Sequence, residues 1–349
     1  MIPAMTPMKP LRSLGLTFDG ERLLVLDQRC LPDEESWRDG TAPDTMADHI
    51  RTLAVRGAPL IGVAAALSLA CYAGTGASVG DLRAAASRLR AARPTAVNLT
   101  WAIDRLLRAY GDEHGGDPDA LRSEAVAVFH EDVALCEAMA RHGAALLSDG
   151  DGVLTHCNTG GLATVGIGTA LGVIRRAWEQ GKRLHVYVDE TRPLLQGARL
   201  TAWELSRLGI PYTLQTDSMA AVLMRAGRVQ KVLVGADRVA RNGDFANKVG
   251  TYGLAVVARH HGVPFHPVAP YSTLDRSLAT GAGIPIEDRA AEEVRGAAGS
   301  FGRVRWSPED ARVFNPAFDV TPADLVTALV LDRGVFTREA LGAGALGDL

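Results

Sequence analysis

The alternation of apolar and polar residues divides the chain into a short β element, a helical stretch and a longer α/β region. Apolar runs at residues 14–18 and 22–26 flank Asp19-Gly20, a dipeptide typical of tight hairpins. From Thr45 the apolar spacing becomes helical, and prolines interrupt it. The pattern predicts four helices, at residues 46–54, 60–73, 79–92 and 97–110.

The second half of the chain alternates between apolar runs and helical stretches. It follows a polar segment at 112–118 and a long helical pattern at 119–147, which suits a connector. Short runs typical of strands occupy residues 153–157, 184–188, 211–215, 231–235 and 264–268. Near the end, Thr321 as N-cap followed by Pro322 predicts a helix that stops near Gly334.

These patterns predict an α/β protein. We expect a mainly helical N-terminal domain with a small β element over residues 1–118 and a connecting long helix over 119–150. Residues 151–349 should form a doubly wound, Rossmann-like parallel sheet domain that carries the catalytic groups.

Composition narrows the possible environment and partners. The 349 residues carry a formal net charge of −3, and no basic run stands beside interleaved aromatics, so we expect no nucleic-acid partner. Four scattered cysteines without a CxxC pair indicate reduced thiols and a cytoplasmic location. Prolines in the first ten residues argue against a signal peptide, and no apolar run is long enough to predict a membrane span.

Two side chains stand at the ends of predicted strands. Cys157 ends one apolar run, and Asp237 follows another eighty positions later. Because strand carboxyl ends face one crevice in a doubly wound sheet, the two groups are expected to meet there. A thiol beside a helix N-terminus has its thiolate stabilised, which suits a base or a nucleophile. The alternatives are a buried apolar cysteine and a capping aspartate.

The glycine cluster at residues 160–168 follows a predicted strand and precedes a helix, a position that favours phosphate. A dinucleotide loop is disfavoured because Gly-Gly stands at the strand end and the GxG lies further into the helix. No GxxxxGK[ST] motif occurs, which excludes a P-loop. The histidines lack metal-ligand spacing, and His156 is interpreted as structural.

Several cations and amides stand next to tight turns. Arg56 and Arg93 each precede a proline-containing turn, Gln196 follows a predicted strand, and Asn247-Lys248 precedes a Gly-rich helix. Each is more often a solvated surface residue when taken singly. Together they predict a crevice that binds an oxyanion.

Six segments together resemble the methylthioribose-1-phosphate isomerase family over nearly the full length. They are Val55-Arg-Gly-Ala-Pro-Leu-Ile-Gly-Val-Ala-Ala-Ala66, Arg93-Pro-Thr-Ala-Val-Asn-Leu99, Leu154-Thr-His-Cys-Asn-Thr-Gly160, Asp189-Glu-Thr-Arg-Pro-Leu-Leu-Gln-Gly-Ala-Arg199, Thr216-Asp-Ser-Met-Ala220 and Gly235-Ala-Asp-Arg-Val-Ala-Arg-Asn-Gly-Asp-Phe-Ala-Asn-Lys248. The same fold is shared with regulatory subunits of a translation initiation exchange factor.

The resemblance implies an aldose-ketose isomerase of methionine salvage that acts on 5-methylthioribose 1-phosphate and forms a homodimer. It implies Asp237 as the general acid/base for ring opening and Cys157 as its catalytic partner, with no metal or cofactor. The implied substrate contacts are Arg56, Gly57, Ala58, Arg93, Gln196, Asn247 and Lys248. Isomerases of ribose 1,5-bisphosphate or 5-deoxyribose 1-phosphate remain alternatives, as does a non-enzymatic regulatory subunit, which gives no reason to keep the thiol and the acid together.

Overall fold

A computed structural model describes residues 9–94, 96–111, 116–299 and 302–347. Most of the N-terminal segment whose prolines argue against a signal peptide, and most of the polar segment at 112–118, lie outside these ranges. The N-terminal elements are β1 (Leu11–Arg12), β2 (Leu16–Phe18), β3 (Leu23–Leu26), β4 (Trp37–Asp39), α1 (Pro43–Arg51), α2 (Ala58–Ala73), α3 (Val79–Ala92), α4 (Val97–Tyr110) and α5 (Pro118–Ala144).

The remaining elements alternate strands with helices before ending in hairpins. They are β5 (Gly152–His156), α6 (Ala170–Glu179), β6 (His185–Asp189), α7 (Ala202–Leu208), β7 (Tyr212–Gln215), α8 (Ala220–Arg225), β8 (Lys231–Val234), β9 (Arg238–Ala240), β10 (Phe245–Lys248), α9 (Thr251–His260), β11 (Phe265–Pro267), β12 (Leu274–Asp275), α10 (Glu292–Arg295), β13 (Gly296–Gly299), β14 (Gly302–Arg305), β15 (Phe318–Thr321), β16 (Ala328–Leu331), β17 (Gly334–Thr337) and α11 (Arg338–Gly342).

The N-terminal region confirms the predicted β element and helices. Strands β1 to β4 form an antiparallel sheet, and the hairpin between β2 and β3 turns at Asp19, whose carboxylate accepts the N–H groups of Glu21 and Arg22. Helices α3 and α4 have the predicted bounds. Ser78 caps α3 by accepting the N–H of Asp81, which satisfies a backbone donor of the first turn.

Helix α5 connects the two halves of the molecule. Apolar side chains three or four positions apart give it a buried stripe, which packs against α2 and α4 on one side and α6 on the other. Asp117 caps its start by accepting the N–H groups of Asp119 and Ala120. No helix among the described residues is both long and apolar enough to span a bilayer.

The C-terminal region contains the predicted doubly wound sheet. Its five strands are all parallel and run in the order β11-β8-β5-β6-β7. The chain proceeds from β5 to β6 and β7 on one side, then crosses to β8 and β11 on the other. The strand order therefore reverses between β5 and β8, and ligands of open α/β sheets bind outside the carboxyl ends of strands at such a point.

The predicted helix after Thr321 is wrong. Thr321 ends β15, only one short 3-10 turn follows Pro322, and the chain then forms β16 and β17 up to and beyond Gly334. The cap signal is local, whereas β16 is fully buried and Val330 bridges Val268 beside β11. Burial of a Leu-Val-Leu run beside the main sheet outweighs the local cap.

The start of α2 lies directly against the loop that follows β5. Gly57 has φ +99°, and a Cβ at this position would lie 2.5 Å from the Ala163 carbonyl oxygen. That carbonyl accepts the N–H of Leu60 at 3.1 Å, and Gln28 donates to the neighbouring Leu162 carbonyl at 2.7 Å. The glycine is therefore needed both for its backbone conformation and for the close approach.

Asp132 of α5 generates a prediction about stability. Its buried carboxylate accepts the N–H of Val165 at 2.7 Å, and burial raises its pKa to about 6. The native state therefore binds a proton that the unfolded state has already lost, and its contribution to stability falls as pH rises from about 4 to about 6. The free energy of unfolding of the wild type should fall by about 3 kcal/mol relative to Asp132→Asn over this window.

Urea unfolding of both proteins between pH 3.5 and 8 measures this difference directly. The contributions of the other buried carboxyl groups to the pH dependence cancel in this difference, because those groups are present in both proteins. A difference that stays constant with pH would show that Asp132 titrates normally in the folded protein.

Candidate active site

One cavity lies at the carboxyl ends of β5 and β8. The structure brings all nine site residues predicted from the sequence together as part of its lining. The parallel sheet supplies Cys157 and Asp237 at its strand ends, and β10 of a separate sheet supplies Asn247 and Lys248. Gln196 lies after β6, and the N-terminal region supplies the rest. The lining residues from that predicted set are Arg56, Gly57, Ala58, Arg93, Cys157, Gln196, Asp237, Asn247 and Lys248.

Cys157 directly follows β5 in a left-handed backbone conformation with φ +66°. Its N–H donates to the Thr191 hydroxyl at 2.7 Å, and its carbonyl accepts the Thr201 hydroxyl at 2.6 Å. These two side-chain bonds replace the strand pairing that ends at His156. They hold the thiol at the cavity wall, half-buried.

Asp237 lies between β8 and β9 and is oriented by its own N–H, which donates to the Ala246 carbonyl at 2.8 Å. Burial raises the pKa of its carboxyl above the usual range, while the positive charges of Arg93, Lys248 and Arg56 oppose that shift. Burial prevails. The carboxyl group therefore keeps its proton to a higher pH than an ordinary aspartate does, and the protonated form is the one that donates a proton.

Three cations face the same cavity. Arg56 donates to the carbonyl and the side-chain oxygen of Asn158, at 2.9 and 3.1 Å. Lys248 donates to the Ala317 carbonyl at 2.6 Å and lies 4.7 Å from the centre of the Phe318 ring. Burial lowers the pKa of both Arg93 and Lys248, and the charge of Asp237 opposes the shift in each. An anionic ligand would compensate this positive charge.

Polar groups complete the wall. Gln196 is buried, and its Oε1 has no hydrogen-bond partner within the described structure. Asn247 donates to the Thr251 hydroxyl at 2.9 Å. Gly57 and Ala58 lie at the first turn of α2, where helix N–H groups and the helix dipole favour an anion. These groups suit a ligand that carries both hydroxyls and a phosphate.

The glycine cluster at 160–168 does not supply the phosphate site expected from its sequence. The helix that follows it begins only at Ala170. Glu204 of α7 accepts the N–H of Gly161 at 2.7 Å and that of Leu162 at 3.3 Å. A buried carboxylate of the chain itself therefore occupies the position in which a phosphate was expected.

Two further cavity residues were not identified from the sequence. Arg289 pairs with Glu287 at 2.9 Å and Glu293 at 2.6 Å and reaches the cavity from the segment before α10. Thr273 is buried, and its hydroxyl has no partner in the described part of the chain. The charged run around Arg289 was the available signal, whereas nothing near Thr273 distinguishes it from other threonines.

Backbone strain concentrates around the cavity. Among the described residues, the non-glycine positions with positive φ are Leu53, Cys157, Thr191 and Leu195. Leu53 and Cys157 line the cavity, and Thr191 holds Cys157. Unfavourable backbone conformations persist where the surrounding structure enforces them, which is common at functional sites.

One group of potential metal ligands occurs within the described ranges. Single ligand atoms of His156, Asp189 and Asp217 lie within 4.8 Å of one another. They do not line the cavity, and their atoms already have partners, because Asp217 accepts the N–H groups of Thr191 and Arg192 at 2.7 Å each. Because the ligand atoms of these three side chains already take part in hydrogen bonds, the cluster does not favour binding of a metal ion.

A groove of about 750 Å³ adjoins the cavity and shares Leu53, Arg56, Leu194, Gln196 and Arg289 with it. Arginines exceed acidic residues along its walls. They are Arg29, Arg38, Arg51, Arg56, Arg199, Arg289, Arg295, Arg303 and Arg305, against Asp27, Glu292, Glu293 and Glu309. A positively lined groove attracts anions towards the cavity.

Comparisons with known proteins identify the family of the chain. The chain matches the Initiation factor 2 subunit family over residues 54–338. It is 55% identical over 338 residues to methylthioribose-1-phosphate isomerase of Klebsiella pneumoniae (strain 342), which covers 97% of this chain and 98% of that protein. The corresponding protein of Yersinia pestis (strain Pestoides F) is 53% identical over 334 residues, or 96% of each chain.

Solved structures give the same result. The 5-methylthioribose 1-phosphate isomerase of Pyrococcus horikoshii OT3 has a TM-score of 0.87 and 39% identity, covering 100% of this chain and 99% of that one. A structure described as translation initiation factor eIF-2B, subunit delta, from A. fulgidus has a TM-score of 0.82 and 41% identity, with coverages of 97% and 100%. The chain belongs to the methylthioribose-1-phosphate isomerase family, an aldose-ketose isomerase group within the Initiation factor 2 subunit family.

Proposed function

We propose that the protein converts 5-methylthioribose 1-phosphate to 5-methylthioribulose 1-phosphate in methionine salvage. The observation that carries the proposal is a cavity at the strand-order reversal that is lined together by a thiol, a half-buried carboxyl group and a set of cations. The family assignment supports the same substrate, because the relatives are named for it. Regulatory subunits of the same fold need no such set of groups.

The chemistry of the substrate explains why an acid is needed. The phosphate on C1 blocks spontaneous opening to a free aldehyde, so the ring must be opened with assistance. We assign Asp237 to donate its proton to the ring oxygen, which becomes the C4 hydroxyl as the bond from C1 to that oxygen breaks. The raised pKa of the Asp237 carboxyl supports this assignment, because the group stays protonated where an ordinary aspartate is ionised.

The remaining steps move hydrogen between C1 and C2. The hydrogen on C2 passes to C1, the C2 hydroxyl loses its proton, and a ketone forms at C2. Cys157 is assigned as the partner that handles a proton at C2 or its oxygen. The reaction is redox-neutral overall, so the proposal needs no metal or cofactor. Burial of the reacting groups limits leakage of protons to water.

Substrate binding is assigned to the cations and amides of the cavity. Arg56, Lys248 and the first turn of α2 hold the phosphate, with Gly57 and Ala58 contributing their backbone. Arg93, Gln196 and Asn247 contact the sugar hydroxyls or the phosphate. The arginine-lined groove serves as the entrance. The four free cysteines fit work in the reducing cytoplasm.

A substrate panel tests the proposed function. The purified protein should turn over methylthioribose 1-phosphate with a higher kcat/KM than ribose 1,5-bisphosphate or 5-deoxyribose 1-phosphate, followed by NMR detection of the ketose. A higher kcat/KM for the bisphosphate would assign the protein to the sister isomerases, and the groove arginines would then be the site for the second phosphate. Turnover of none of the three would support the regulatory subunit.

Variants test the two catalytic assignments. Cys157→Ala and Asp237→Asn should each lower kcat by at least about a hundredfold, the scale of general acid/base catalysis, with the fold retained by circular dichroism. Cys30→Ala is the matched control, since Cys30 is also half-buried but lies in the groove outside the cavity. Near-normal turnover by either catalytic variant would remove that residue from the mechanism.

The role of Asp237 as an acid also predicts the direction in which kcat/KM changes with pH. Because Asp237 must be protonated to act as an acid, kcat/KM of the wild type should fall on the alkaline side of its raised pKa.

We also propose a homodimer whose interface includes four exposed apolar side chains of two neighbouring segments, Met219, Val222, Tyr252 and Val256. Met219 and Val222 belong to the segment through α8, Tyr252 and Val256 lie one turn apart on α9, and the two helices pack together. A patch of large apolar side chains on adjacent helices is typical of an interface. A second copy is the favoured partner because a symmetric contact pairs the patch with itself.

Sedimentation analysis tests the dimer. Val222→Lys should convert the dimer to a monomer at micromolar concentration, because it buries a charge at the interface. Val304→Lys is the matched control, since this valine is also exposed but lies on β14. A wild-type protein that sediments as a monomer would contradict the proposal.

A further inference from the structure

The ring of His156 is surrounded by acceptors. This last residue of β5 is buried, with Nδ1 3.1 Å from Asp189 Oδ2 and Nε2 3.0 Å from the Val249 carbonyl oxygen. A carbonyl oxygen only accepts, so Nε2 carries a hydrogen. The contact between Nδ1 and Oδ2 needs a second proton, on one atom or the other. The pair of side chains therefore holds two protons.

The surroundings favour retention of both protons. Burial raises the pKa of the Asp189 carboxyl above its ordinary value, although its other oxygen accepts the Gln215 amide at 2.8 Å, which opposes that shift. Burial lowers the pKa of His156, but the hydrogen bond and charge of Asp189, the charge of Asp217 and the Val249 carbonyl raise it above the ordinary value. Asp319 on β15 is a further carboxyl group whose charge interacts with that of His156.

A second buried histidine differs from His156 in its hydrogen-bond partners and in the direction of its pKa shift. His266 of β11 lies two strands away from His156 in the same sheet and has one ring nitrogen 3.2 Å from the Ala328 carbonyl oxygen. No carboxylate contacts it within the described residues, and burial lowers its pKa to about 4. The two buried histidines of the sheet therefore differ, because the hydrogen bond to a carboxyl group raises the pKa of His156 whereas burial without such a partner lowers that of His266.

The Nε2 hydrogen of His156 is directed at the turn that follows Lys248. Gly250 in this turn has φ +107°, and a Cβ there would lie 2.9 Å from the His156 ring. The same turn is held by Asp319, which accepts the N–H of Gly250 at 2.7 Å, and by Thr251, whose hydroxyl donates to the Lys248 carbonyl at 2.7 Å. The ring thus supports the backbone that carries Asn247 and Lys248 into the cavity.

We propose that His156, which shares two protons with Asp189 as a dyad, positions the Lys248–Gly250 turn through its Nε2–H bond to Val249 and so sets the affinity for the phosphorylated substrate. Neither side chain lines the cavity, so both are positioning residues. The inference rests on the proposed function for its kinetic consequence only. The protonation of the dyad is independent of any substrate.

Two substitutions separate the two hydrogen bonds. The amide nitrogen of Gln reaches about as far as His Nε2, and that of Asn about as far as Nδ1. His156→Gln should keep the bond to Val249 and leave KM for methylthioribose 1-phosphate within about threefold of the wild type. His156→Asn should lose that bond and raise KM at least about tenfold, with a smaller change in kcat. Equal KM values for the two variants would overturn the positioning role.

NMR of protein labelled with ¹⁵N-histidine tests the dyad without turnover. In the wild type at pH 8, both ring nitrogens of one histidine should show protonation with slow hydrogen exchange, and this signal should vanish in both variants. His266 is the internal reference for a neutral buried ring. Loss of the His156 proton near pH 6.5, the value of a free histidine, would overturn the dyad.

Failure of the proposed isomerase function can be distinguished from failure of the positioning role of His156. If the wild type shows no isomerase activity, the proposed function fails, and binding of inorganic phosphate measured by calorimetry replaces KM. His156→Asn should then weaken phosphate binding at least about tenfold relative to His156→Gln. Equal phosphate affinities in the two variants would reject the positioning role even without catalysis.

Discussion

The cavity depends on the close contact between the start of α2 and the loop that follows β5. Gly57 approaches Ala163 so closely that a side chain has no room, and Leu60 donates to the same carbonyl. This contact brings Arg56 and Ala58 from the helical region to the carboxyl end of the parallel sheet. Without it, the sheet would present Cys157 and Asp237 to an open surface. The site is therefore a property of the interface between the two regions.

The second constraint is electrostatic. Arg56, Arg93 and Lys248 face the cavity, and burial lowers the pKa of both Arg93 and Lys248. The negative charge of Asp237 would compensate them, yet burial also raises the pKa of its carboxyl. A phosphate would resolve the conflict, because it compensates the cations without requiring Asp237 to ionise. Elsewhere a carboxyl group of the chain itself is the hydrogen-bond partner. Glu204 has this role at the glycine loop, and Asp189 has it at His156.

Much of the fold could be predicted because hydrophobic periodicity is a local signal. The bounds of α3 and α4, the β2 to β3 hairpin and the five parallel strands follow from spacing and turn residues. The predicted helix after Thr321 failed because its cap was satisfied locally while β16 gains more by burial beside the main sheet. Local sequence contains no measure of that burial.

In the site, too, the features that follow from local sequence could be predicted, whereas those that depend on distant contacts could not. Strand ends identified Cys157 and Asp237, and the resemblance to a family identified the substrate contacts; the cavity contains all nine. The phosphate expected at the glycine cluster could not be excluded from sequence, because the competing carboxylate of Glu204 lies more than forty positions away. Arg289 and the dyad of His156 with Asp189 likewise depend on contacts between distant segments.

The most direct test of the account is a crystal structure of the Asp237→Asn variant with methylthioribose 1-phosphate bound. The account predicts the phosphate against Arg56, Lys248 and the first turn of α2, with the side chain at 237 within about 3.2 Å of the ring oxygen and the Cys157 sulfur facing C2. A sugar bound with its ring oxygen directed away from residue 237, or with its phosphate outside this set of cations, would contradict the assignment of acid, partner and anion site together.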